Sequence, residues 1–101
     1  MTFEKLNEIC AETEKYLRKN GVGFVEVWSH KDGLPVIDIC IERGDWKHEH
    51  LRAKTLMQQL GAVHVGSRAL DEDDDGSDTY SAVHRFIVNE NIFEEGANEN
   101  L

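Results

Sequence analysis

The chain has 101 residues, 40% of them apolar and 31% charged, with a formal net charge of -9. This composition fits one folded domain rather than a disordered chain, and no apolar stretch approaches the roughly 20 residues of a membrane helix. The eleven basic residues are dispersed among twenty acidic ones, which argues against direct nucleic-acid binding, and the Met-Thr-Phe-Glu-Lys start lacks a secretory pattern, so a cytoplasmic location is expected.

Phe3, Leu6, Ile9, Cys10, Thr13, Tyr16 and Leu17 recur every three or four residues and predict an amphipathic helix from about Thr2 to Asn20. Lys15, Arg18 and Lys19 suit the negative end of its dipole, and Gly21 supplies a left-handed cap. Phe24 to Trp28 and Val36 to Ile41, joined by a turn at Asp32-Gly33, read as a β-hairpin. Asp45 is a candidate N-cap for a second helix with Trp46, Ala53, Leu56, Met57 and Leu60 on its inner face, and Gly61 repeats the part of Gly21. A strand from Ala62 to Val65, the second turn dipeptide Asp75-Gly76, and a strand from Tyr80 to Val88 complete a second unit.

The chain thus reads as a duplicated αββ unit, with the glycine caps 40 residues apart and the Asp-Gly turns 43 apart. Two such units predict an α+β two-layer sandwich: a four-stranded antiparallel sheet with both helices on one face, in the order of a circularly permuted ferredoxin-like arrangement. Residues 1–93 form the expected domain, and 94–101 a polar tail. If Val25, Val27, Ile37, Ile39 and Ile41 face the helices, then Phe24, Glu26, Trp28, Val36, Asp38 and Cys40 face away. Phe24 and Trp28 become candidates for a partner contact or a homodimer interface, unless Ile92 and Phe93 fold over that face.

The charge is local. Residues 1–70 carry ten acidic and ten basic side chains, whereas residues 71–101 carry ten acidic side chains against Arg85 alone. Six of those ten, Asp71, Glu72, Asp73, Asp74, Asp75 and Asp78, sit in one run at the expected tip of the second hairpin. Such a run favours a basic partner or a cation. Asp71, Asp73, Asp75 and Gly76 match the opening of a calcium loop, D-x-D-x-D-G, but Ala82 stands where the bidentate Glu belongs, so weak Ca or Mg binding is only an alternative to a solvated tip.

His48 and His50 stand two apart, about 200 degrees around a helix, and read as surface side chains rather than joint metal ligands. His64 and His84 become cross-strand neighbours only in a register of even parity. Cys10 and Cys40 lack C-x-x-C spacing, and two cysteines make no disulfide framework, so neither a metal site nor a cofactor is expected. The phosphate-loop, nucleophile-elbow, H-E-x-x-H and dinucleotide fingerprints are all missing, which argues against an enzyme.

The expected role is a small acidic binding protein, an inhibitor whose acidic tip stands in for nucleic-acid phosphates on a basic partner such as a nuclease or DNA-binding protein. In size and acidity alone the chain resembles phage-encoded inhibitors of host defence, the anti-CRISPR and anti-restriction proteins. An immunity protein for a nuclease toxin, a homodimeric assembly or adaptor module built on the open sheet face, and a weak cation-binding protein are the alternatives.

Overall fold

The computed structural model describes residues 1–29, 34–69 and 79–93, with backbone alone for 43–47, 79 and 80. Helix α1 spans Phe3–Lys19 and is opened by Thr2, whose hydroxyl accepts a hydrogen bond from the Lys5 amide at 3.1 Å. That bond satisfies one of the orphan donors at the helix start. Strands β1 (Val25–Ser29) and β2 (Val36–Asp45) follow. A π-helical turn, Trp46–His50, leads into α2 (Leu51–Gln59), and β3 (Val63–Ala69) and β4 (Thr79–Ile87) close the order.

Both helices end in the same way. The Val22 amide donates to the Leu17 carbonyl at 2.9 Å and the Gly21 amide to that of Arg18 at 3.3 Å; Ala62 and Gly61 repeat the pattern onto Met57 and Gln58 at 3.0 Å each. These paired bonds define the Schellman cap, which requires a left-handed residue, and Gly21 and Gly61 supply it with φ of 99° and 96°. Each cap turns the chain back under its own helix, and the residues that bracket it, Leu17 and Val22 or Met57 and Ala62, are buried.

The four strands form one antiparallel sheet in the order β1-β2-β4-β3. This is compatible with the circularly permuted ferredoxin-like arrangement. Pairing carries rows of side chains across the sheet: Val25, Ile41, Ala82 and Ala69 form one row, Val27, Ile39, His84 and Ser67 the next, and Ser29, Ile37, Phe86 and His64 the third. These rows face the helices. One continuous core joins Leu6, Ile9 and Leu17 of α1 to Ile37, Ile39 and Ile41 of β2, Phe86 of β4 and Met57 of α2. The alternation expected for the first hairpin is the one observed.

Several details differ from expectation. Strand β2 continues through Gly44 and Asp45, which pair with Tyr80 and Thr79, so the chain is still extended where a helix cap was anticipated. It gets there through an irregularity between Ile41 and Gly44, where three steps along β2 match two along β4, and the next turn is wound as a π-helix. After β4, Ile92 is buried, and Phe93 packs edge-on against Tyr16 of α1 with ring centroids 5.9 Å apart. These two residues therefore join the helix layer and do not fold over the opposite face of the sheet. Among the described residues, no helix is long and apolar enough to cross a membrane. The acidic run, the Asp32-Gly33 turn and residues 94–101 lie outside the described residues.

Candidate functional site

The face of the sheet turned away from the helices carries three further rows: Glu26, Cys40, Val83 and Arg68; Trp28, Asp38, Arg85 and Gly66; and Val36, Ile87 and Val63. Trp28 is 44% exposed, with its indole N–H donating to Glu26 Oε2 at 3.3 Å, and Phe24, just before β1, is 60% exposed. Val63, Val65 and Ile87 are exposed on the same side. At the centre of this face Arg85 grips Asp38 with two hydrogen bonds, Nε to Oδ1 at 2.8 Å and Nη2 to Oδ2 at 3.1 Å. The paired geometry fixes the guanidinium in the plane of the carboxylate. Asp38, Arg85, Val83, Arg68 and the Val65-Gly66 step line a shallow groove of about 450 Å³.

Phe24 and Trp28 thus stand on an open surface, as their alternation implied. Asp71, Glu72, Asp73, Asp74, Asp75 and Asp78 lie outside the described residues; in the sequence they join β3 to β4, whose residues Ala69 and Ala82 face each other across the ladder. Both thiols are free and buried; burial pushes Cys10 up to about 11, and burial followed by the nearby Glu42 and Glu26 charges raises Cys40. Neither is a ready nucleophile.

The other face holds an arrangement that the sequence pattern did not reveal. His64 Nε2 lies 2.9 Å from Ser67 Oγ, Ser67 Oγ lies 2.7 Å from His84 Nδ1, and His84 Nε2 lies 2.7 Å from His50 Nδ1. Four side chains from β3, β4 and the π-helical turn are linked end to end. The His84 and His50 imidazoles are buried, with ring centroids 5.0 Å apart, while His64 is half-buried against Phe86 and Ser67 is exposed at the sheet edge. His50 was expected at the surface and is only 3% exposed. Helical spacing explains it: His50, Ala53 and Met57 fall on one stripe, so the periodicity that marked Ala53 and Met57 also marks His50.

The position of Ser67 is less legible. Residues 64 and 67 differ by an odd number and in a regular strand would point to opposite faces. A bulge between His64 and Gly66 inserts one extra residue in β3, so that His64 opposes Phe86 and Ser67 opposes His84, both toward the helices. Burial, followed by the charges of His50, His64 and Lys54, pushes His84 down to about 4. Burial and then Lys54 also lower His64, partly offset by a hydrogen bond with the Gly66 backbone. Both imidazoles are therefore neutral at pH 7. Lys54, half-buried on α2 one turn beyond His50, is the fixed positive charge beside them.

Among the described residues, no three His, Cys, Asp or Glu side chains are placed to hold a metal ion. No protein-family model matches the chain, and no curated protein or solved structure matches it.

Proposed function

We propose that this chain is a binding protein that occupies a basic, nucleic-acid-binding surface of another protein, with its acidic β3–β4 connection standing in for phosphates. The observation that carries this reading is the confinement of six carboxylates to a connection between two hydrogen-bonded strands. Anchoring at both ends limits the conformational freedom lost on binding, and the concentrated charge steers a basic partner toward the molecule. The adjoining open face offers Trp28, Phe24 and the Arg85–Asp38 pair as a second contact; Trp and Arg are the residue types that most often dominate interface energy. A DNA-mimicking inhibitor and an immunity protein for a nuclease toxin share this chemistry and differ only in the partner.

Capture from cell lysate tests the reading, comparing the wild type with a variant carrying Asn or Gln at Asp71, Glu72, Asp73, Asp74, Asp75 and Asp78. The wild type is expected to retain a nucleic-acid-binding protein and to release it as salt shortens the screening length from about 8 Å toward about 3 Å. Equal recovery by both forms, or retention indifferent to salt, would overturn it.

The exposure of Trp28, Val63, Val65 and Ile87 on one uncovered sheet face favours a second reading, a homodimer closed through that face. Light scattering at micromolar concentration decides it: a strict monomer removes the dimer.

A further inference from the structure

We propose that Ser67 is an activated nucleophile for acyl transfer, with the imidazoles of His84 and His64 as its proton acceptors and esters or thioesters as the substrate class. The inference goes beyond partner binding and does not depend on it.

It rests first on counting protons along the chain of hydrogen bonds. A serine hydroxyl has one proton and stands here between two imidazole nitrogens, at 2.7 and 2.9 Å. A neutral imidazole carries one N–H and one bare nitrogen. A continuous chain of neutral groups has only two directions. In one, His64 donates to Ser67, Ser67 to His84 Nδ1, and His84 Nε2 to His50. In the other, His50 donates to His84, His84 to Ser67, and Ser67 to His64 Nε2. The Ser67 proton meets an imidazole lone pair in both, and the opposite imidazole donates to Oγ. A serine held against a neutral base at hydrogen-bond distance is the activated-nucleophile arrangement.

Access and charge complete the site. Ser67 is exposed on strand β3, the edge of the sheet among the described residues, so a flat acyl group can approach from that side. The Lys54 charge acts on both His64 and His84 and lowers them, which helps keep both imidazoles unprotonated as acceptors for the Ser67 proton. In the reaction Oγ bonds to the acyl carbon while its proton passes to the imidazole. The oxyanion then collapses, and the alcohol or thiol leaves with that proton. Water, deprotonated by the same imidazole, next attacks the acyl-serine, releasing the acid and restoring the hydroxyl.

A fluorophosphonate tests the step on the 101-residue chain: Oγ–P forms, P–F breaks and fluoride leaves, with the adduct mapped by peptide mass spectrometry. Ser29, whose hydroxyl donates to Asn7 Oδ1 at 2.9 Å, is an internal control held by an amide oxygen. Ser67 is expected to label at least about 100-fold faster than Ser29, and Ser67→Ala to abolish both the adduct and the hydrolysis of 4-nitrophenyl acetate. His64→Gln, at a half-exposed position, and His84→Gln, checked for native near-ultraviolet dichroism, show which imidazole takes the proton; the one that does is expected to slow labelling about 100-fold. Equal labelling of Ser67 and Ser29, or a rate that neither folded histidine variant changes, would overturn the proposal.

Discussion

The two αββ halves share a frame and differ in what fills it. Between α1 and its hairpin lie Leu6, Ile9, Leu17, Val25, Ile37, Ile39 and Ile41, with Thr13 the polar exception. Between α2 and its hairpin lie His50, His64, Ser67 and His84, beside Ala53, Met57, Ala82 and Phe86. The helix caps match bond for bond, and each half pairs its own two strands. Backbone devices thus hold the shape in both halves, while the first half packs mainly aliphatic side chains. The second buries the His50 and His84 imidazoles beside its apolar residues.

The largest effect that would break this comparison lies at the residues beneath the two caps. Leu17→Ala and Met57→Ala each remove a fully buried side chain at the same cap position, and each is expected to destabilise by about 3 kcal/mol in urea unfolding. A wide gap between them would show that the halves do not bear equal weight.

Acid should separate the halves. His84 is held down near 4 in the fold and returns to about 6.5 when unfolded, so over that window the unfolded chain takes up a proton that the folded chain does not. Stability therefore falls as pH drops from about 6.5 toward 4, by about 2 kcal/mol between pH 7 and pH 5. Urea midpoints at those two values check it, and an unchanged midpoint would mean that the buried pair accepts the charge.

A smaller and symmetrical effect is expected at the caps themselves. Gly21→Ala and Gly61→Ala force a Cβ into left-handed backbone at φ near 99° and 96°, each costing about 1 kcal/mol. Space does not distinguish them, since the added carbon meets only the Arg52 side chain at 3.5 Å in the first case and nothing within 4 Å in the second. The smallest effect has the opposite sign. Thr13 buries a hydroxyl that has no hydrogen-bond partner among the described residues, so Thr13→Val is expected to raise stability by about 0.5 to 1 kcal/mol, measured by thermal unfolding.

The frame was legible in the sequence because its signals are local and repeated: glycine 40 residues after glycine, apolar stripes at three and four, alternating strands on either side of Asp32-Gly33. Trp28 and Phe24 were placed by the same alternation. The histidine–serine chain was hidden for two physical reasons. His50 shares the stripe of Ala53 and Met57, but a polar residue two from His48 reads as surface. Ser67 reaches the helix side only because of the extra residue Val65, and strand alternation contains no signal for a bulge.

That same extra residue guards the molecule's outer margin. Strand β3 ends the sheet and exposes Val63 and Val65, a combination that in a flat strand would template another chain and seed aggregation. The bulge interrupts the regular spacing of outward-facing amides and carbonyls within that short stretch and coils the edge away from a straight neighbour. The distortion that turns Ser67 inward therefore also keeps one copy of the protein from adding its strands to the next.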